Sequence, residues 1–370
     1  MLRTTSEILQ ARGVTRPTLL LDEARARANI ARMAARARAA GAAFRPHFKT
    51  HQSGAVGRWF ADAGVDRITV SSLDMAHHFA DLGWRDMTVA ILHNPLETPR
   101  ALALARHLHE QGGRLGLLVD DPDVTAALAA VADVPLAVSV KIDTGYRRSG
   151  LAWDQGERLD AVLAACTGSL APAGLLTHAG HAYEARSRRA VQAVYDVAIM
   201  RLQAIRAAAN RPDLPLSFGD TPCCSLVDDL SACDEIRPGN FVFCDLMQLA
   251  IGSCGPGDLA AAVACPVIGV YPERREIVIH GGAVHLSKES LAGPDGKPCY
   301  GRLGTVAGDG FGEVLSGTVL TGLSQEHGVV RCDAGLADGL VPGDLVLVWP
   351  VHSCLSCDLL RNRMEAPVTF

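Results

Sequence analysis

The chain has 370 residues, 35 of them basic and 40 acidic, giving a net charge of −5 and a pI near 6.2. A charge this small and of this sign excludes a nucleic-acid-binding field, and no stretch reaches the roughly 18 uninterrupted apolar residues of a membrane helix. Eleven cysteines, an odd number scattered along the chain, together with residues 1–16 that lack a long apolar run, point to reduced thiols in a cytoplasmic protein rather than a disulfide framework.

Thr18 to Leu21 reads as a strand and residues 23–40 as an amphipathic helix. After Gly41 a short apolar lead-in, Ala42 to Phe44, runs into Arg45-Pro46-His47-Phe48-Lys49-Thr50-His51, a polar string at the carboxyl end of a strand. Strands follow at 68–70, 87–92, 115–119, 138–142, 174–177 and 216–218, with helices near 74–82, 98–112 and 187–210 among the segments between them. This strand-helix rhythm predicts a parallel (β/α)8 TIM barrel over residues 15–262, with catalytic side chains at the carboxyl ends of its strands. Beyond about residue 265 the texture changes to Gly- and Val-rich strands at 267–270, 276–279 and 345–349. They predict a β-rich second domain over 263–370, joined by residues 1–14.

Several residues in this frame carry reactive groups. Lys49, among two histidines and an arginine, is a candidate nucleophile or base if partly shielded from water, and otherwise a solvated strand-end lysine. Thr177-His178-Ala179-Gly180-His181-Ala182-Tyr183 places two imidazoles and a phenol at another strand end. In Val351-His352-Ser353-Cys354 an imidazole and a thiol stand two apart; on an extended segment both face one side and can reach a borderline-soft cation such as Zn2+. Two protein ligands leave positions open for water and substrate, which suits a Lewis-acid site. Cys354 and Cys357 also form a C-x-x-C pair, with no second pair and no redox context.

The string Arg45 to His51 resembles the pyridoxal-phosphate lysine motif of the D-serine dehydratase and D-threonine aldolase group, alanine-racemase-like enzymes of fold-type III. The likeness continues in order from Thr15-Arg16-Pro17-Thr18 to the segment around His352; Gln52 departs from the lysine expected there, and Cys223 from a serine. The resemblance implies a barrel with an appended β domain and a Schiff-base role for Lys49. It also implies a phosphate cradle from Gly219 and Thr221 in one loop and Gly239 and Asn240 in another, where backbone amides converge. Arg148 is implied at the cofactor's phenolic oxygen, with His178 and Tyr183 as active-site residues and Tyr183 near the ring or substrate.

The pair His352 and Cys354 matches the zinc ligands of the dehydratase side of this group, where aldolases more typically carry His-x-Asp. His327 is expected to shape the metal pocket, while Asp245 and Gln248 read equally as site-facing groups or as cap and core. The implied activity is a pyridoxal-phosphate- and Zn2+-dependent dehydration of D-3-hydroxy amino acids such as D-serine or D-threo-3-hydroxyaspartate to a 2-oxo acid and ammonia. Mn2+ or Co2+ are the alternative metals, and Arg147 and Lys288 are candidate cations for a β-carboxylate. The competing readings are a metal-dependent D-threonine aldolase, a non-catalytic pyridoxal-phosphate carrier and a racemase. A homodimer is implied by the resemblance.

Overall fold

The computed structural model describes residues 1–308, 310–361 and 368–369, so residues 309, 362–367 and 370 of the expected second domain lie outside the described residues. The chain divides into two compact units, Ala31–Lys49 with Ser53–Gly239, and Met1–Ile30 with Thr50–Gln52 and Asn240–Phe370.

In the first unit eight strands run parallel: β1 (Ala43–Phe44), β2 (Arg67–Val70), β3 (Asp86–Leu92), β4 (Arg114–Val119), β5 (Leu136–Asp143), β6 (Leu170–His178), β7 (Leu216–Gly219) and β8 (Glu235–Ile236). Their order is β1-β8-β7-β6-β5-β4-β3-β2, and a parallel bridge between His47 and Thr69 joins the two ends into a near-closed barrel. Strands covered on both faces must be apolar nearly throughout, and β4 is buried at every position after Arg114. Five of the helices between strands begin where a short polar side chain can satisfy the orphaned amides of the first turn. Ser53, Ser72, Asp121, Ser187 and Asp220 each accept such a bond.

The barrel interior holds a polar network. Arg45 donates to Asp86 Oδ1 and to Glu235 Oε2, both at 2.6 Å. Glu235 Oε1 accepts from Ser217 Oγ at 2.6 Å, and Arg237 Nε donates to the same hydroxyl at 2.7 Å. Burial alone would lower the Arg45 pKa, but Glu235 and Asp86 hold it raised. Removing Glu235 would leave the buried Arg45 with Asp86 alone and the Ser217 hydroxyl without its acceptor, and losing one partner in a buried charged network is costly. We therefore expect Glu235→Ala to destabilise the protein by about 3 kcal/mol, read as a lower denaturant midpoint at unchanged slope; an unchanged midpoint would contradict this.

In the second unit the strands are β9 (Ala261–Tyr271), β10 (Glu276–His280), β11 (Gly301–Ala307), β12 (Gly310–Val314), β13 (Thr318–Leu323), β14 (His327–Cys332) and β15 (Leu345–Pro350). They form an antiparallel sheet in the order β12-β11-β15-β9-β10-β14-β13. Thr18–Leu21 is a strand, as expected, but not a barrel strand. It pairs antiparallel with β9, Thr18 opposite Ala264, and parallel with Val368–Thr369. A run of four residues buried at its last three positions suits either sheet, so periodicity alone cannot choose between them. Leu9, Leu20, Phe311, Leu347 and Trp349 pack in this unit's core, the Phe311 and Trp349 rings 4.9 Å apart and edge to face. Gly304 permits this, since a Cβ there would lie 2.1 Å from Trp349 Nε1.

Candidate active site and metal centre

Lys49 follows β1 on a single 3-10 turn, Phe48–Thr50. Phe48 is fully buried and meets Phe60, Phe79 and Trp84 at 4.9, 4.9 and 5.0 Å between ring centroids. Lys49 itself is exposed, and its backbone N–H donates to His47 Nδ1 at 3.3 Å. Arg45, near it in sequence, is committed to the interior network.

At the end of β6, His178 Nδ1 lies 2.8 Å from the Gly219 carbonyl oxygen. That acceptor assigns the proton to Nδ1 and leaves Nε2 with a lone pair. Burial, followed by the charges of Lys49, Lys141 and Arg148, holds this imidazole well below its ordinary pKa, so it is neutral near pH 7. Tyr183 sits on the 3-10 turn Gly180–Glu184, its ring centroid 6.3 Å from that of His178, and its hydroxyl accepts the Thr221 N–H at 3.4 Å. The Arg148 guanidinium stands 5.1 Å over the Tyr146 ring, which meets His178 edge-on at 5.9 Å. Gly180 allows that ring in, because a Cβ there would come within 2.5 Å of it.

Two residues that sequence reasoning passed over belong to this group. Lys141, on β5, is only 8 % exposed, and burial, reinforced by Arg237 and Arg148, pushes its pKa down to about 7. Arg237 is buried, donates to the Thr177 carbonyl, and has its pKa lowered to about 10 by burial. Its guanidinium carbon lies 3.2 Å from the place a Cβ on Gly219 would take. The signal for Lys141 was a lone cation inside the apolar run Leu136–Asp143. The first unit thus brings together Lys49, Arg148, His178, Tyr183, Gly219 and Thr221, with Gly239 at the end of its span. A concentration of cations around a neutral imidazole, beside a glycine-lined strand end, has the donor chemistry to hold a phosphorylated, phenolate-bearing cofactor.

Asn240 falls in the second unit, where its amide donates to Asp245 Oδ2 at 2.7 Å, with Ser353 Oγ at 3.3 Å and Cys354 Sγ at 3.5 Å. His352 stands at the N-cap position of the helix Ser353–Leu360 without a side-chain cap, its backbone extended at φ −132° and ψ 104°, and Cys354 lies in the first helical turn. The expected extended segment is therefore a strand-to-helix turn. Ser353, Cys354, Ser356, Cys357 and Leu360 are the helix's buried face, a helical spacing that outweighs the period-2 reading. His352 and Cys354 still meet. Burial would lower the imidazole's pKa, but the Cys354 sulfur and the Asp245 carboxylate raise it to about 11. An imidazole facing a cysteine sulfur offers one nitrogen and one sulfur donor, a set that fits a borderline-soft divalent cation. Burial drives the Cys357 thiol well above its usual pKa, so the second cysteine of the C-x-x-C spacing is a poor thiolate donor.

His280, His285 and Glu326 also offer ligand atoms within 4.8 Å of one another. Gly282 N–H donates to His285 Nδ1 at 3.2 Å, which leaves the proton of a neutral ring on Nε2, 3.7 Å from Glu326 Oε2. A protonated Nε2 favours an imidazole-carboxylate contact over a metal. His327 opens β14 opposite His280 and is exposed.

Residues 21–246 match the family described as alanine racemase, N-terminal domain, and residues 260–364 the putative serine dehydratase domain. The chain belongs to this alanine-racemase-like family, on its serine dehydratase branch. D-threo-3-hydroxyaspartate dehydratase of Delftia sp. (strain HT23) is 33 % identical over 91 % of this chain and 90 % of its own. Its solved structure superposes with a TM-score of 0.84, covering 94 % of this chain and 93 % of that one at 30 % identity. A cysteine-to-alanine mutant of D-threo-3-hydroxyaspartate dehydratase, in the metal-free form, matches with a TM-score of 0.82 at 29 % identity, over 94 % and 93 % of the two chains. D-serine dehydratase of Dictyostelium discoideum is 26 % identical over 74 % of each chain. Among the described residues no helix is long and apolar enough to cross a membrane.

Proposed function

We propose that this protein is a pyridoxal-phosphate-dependent, metal-assisted dehydratase of D-amino acids that carry a β-hydroxyl, releasing a 2-oxo acid and ammonia. The observation that carries this reading is a cation-lined barrel end with an exposed lysine in a chain whose other unit holds an imidazole facing a cysteine sulfur. Lys49 is the amine that holds the cofactor and, once released, the base that takes the proton from Cα. Gly219, Thr221, Gly239 and Asn240 offer backbone amides and a hydroxyl to the phosphate, Arg148 offers a cation to the phenolic oxygen, and Tyr183 and neutral His178 flank the ring. When bound, pyridoxal phosphate supplies an electron sink at Cα, and a divalent cation on His352 and Cys354 supplies Lewis acidity at the β-hydroxyl.

Hydroxide is a poor leaving group, which gives an eliminating enzyme a physical reason to add such a cation. The Cα–H and Cβ–O bonds break, water departs, and the resulting enamine hydrolyses to the keto acid and ammonia. D-serine would yield pyruvate and D-threo-3-hydroxyaspartate oxaloacetate. For the latter, Arg147 and Lys288, both exposed, are the cations we assign to a β-carboxylate. The thiolate ligand favours Zn2+ over Mn2+ or Co2+, and the reading includes a cytoplasmic homodimer.

Incubation of the purified protein with D-serine and with D-threonine tests the choice of bond. We expect keto acid and ammonia from both. Glycine with an aldehyde, and no keto acid, would make the protein an aldolase.

A further inference from the structure

Asp245 caps the short helix Leu246–Ile251, its Oδ1 accepting the Gln248 N–H at 2.9 Å. A cap needs only that oxygen. Oδ2 is turned elsewhere, where it accepts the Ser353 N–H at 2.9 Å and the Asn240 amide at 2.7 Å. It also accepts from Ser353 Oγ at 3.3 Å and lies 3.3 Å from His352 Nδ1. That last contact is within ion-pair range, yet the Nδ1–H direction misses the oxygen, so the ring makes no directed bond there. Asp245 is 1 % exposed. Around the other ligand, Thr50 Oγ1 lies 3.2 Å from Cys354 Sγ, buried, and Asn240 Nδ2 lies 3.5 Å from it.

We propose that Asp245, Asn240 and Thr50 are positioning residues for a metal on His352 and Cys354, an inference that rests on the function proposed above. A neutral imidazole has one N–H and one lone pair. If Asp245 accepts a hydrogen bond from Nδ1–H after a modest turn of the ring, the lone pair is fixed on Nε2 and the ring is aimed. Hydrogen bonds from Thr50 and Asn240 to the thiolate draw charge from the sulfur and set the direction of its lone pairs, which lowers its donor strength toward the metal. Ser353 N–H and the Asn240 amide hold the carboxylate in place, so one buried acid serves both the cap and the site.

The experiment compares wild type, Asp245→Asn and Thr50→Val, each as the full chain checked for fold by circular dichroism. Zn2+ affinity is measured by competition with a chromophoric chelator, and the Co2+-substituted protein gives a thiolate-to-cobalt absorption band. Asp245→Asn is expected to weaken Zn2+ binding 10- to 100-fold, the usual cost of losing an outer-shell partner. Thr50→Val, nearly isosteric, is expected to keep one bound ion and to move the band to lower energy, because a thiolate with one hydrogen bond fewer gives up its electrons more easily. A purely structural role for Thr50 would leave the band unmoved, and that result, or a wild-type Zn2+ affinity in folded Asp245→Asn, would overturn the inference. If Asp245→Asn does not fold, the Thr50→Val band decides. Wild-type protein that binds neither ion would overturn the metal reading of function itself, whereas variants that match a metal-binding wild type overturn only this proposal.

Discussion

Lys49→Ala is expected to lower turnover of D-serine by at least about 10⁴-fold, because one substitution removes both the covalent handle and the base. The side chain is exposed and makes no part of the core, so the variant should keep its fold, and thermal melting checks that. Borohydride reduction of the wild-type holoenzyme should fix the cofactor on the peptide containing residue 49, and mass spectrometry reads the added mass. Label on any other lysine would place the amine elsewhere. The one competitor inside the barrel is Lys141, whose pKa of about 7 would make it a ready nucleophile at neutral pH, so the peptide map discriminates between two real candidates.

Chelation of the metal, or His352→Ala or Cys354→Ser, is expected to slow keto-acid formation by about 10³-fold, the loss of several kcal/mol of Lewis-acid stabilisation at the departing oxygen. Cofactor absorbance should persist in all three, since the residues assigned to the cofactor's lysine, ring and phenolic oxygen lie in the other unit. Returning Zn2+ should restore the chelated wild type and neither variant. Full activity in metal-free protein would remove the cation from the reaction altogether.

The barrel was readable because its strands are short apolar runs separated by amphipathic helices at regular spacing. Of the two strands that seal it, β1 was legible as the apolar lead-in Ala42 to Phe44, whereas β8 was not: each has two residues, too few for any periodicity, and β8 depends on partners far away in sequence. Thr18–Leu21 went to the wrong sheet for the same reason, since pairing with β9 is a non-local fact. Lys49, His178 and Tyr183 could be singled out as reactive groups at strand ends. Lys141 escaped notice because an isolated charge in an apolar run carries no label for which way it points, and Arg237 because it sits at a polar turn, Glu235 to Gly239, where a charge is ordinarily solvated. Asp245 read equally as cap and as site, and both of its oxygens are used. His352 and Cys354 could be singled out as a donor pair by residue type and spacing, although the turn that joins them belongs to a helix start rather than a strand.

The aromatic nest around Phe48 divides labour within two consecutive residues. Its side chain is wedged among Phe60, Phe79 and Trp84, so the main chain there is clamped while the neighbouring four-carbon stem is exposed. A group proposed to attach to a coenzyme, detach, and return within each cycle needs a fixed pivot at the base of its side chain. Trimming the wedge, as in Phe48→Ala, should therefore blur the stem's starting position and reduce the rate of reattachment more than it changes the chemistry at Nζ.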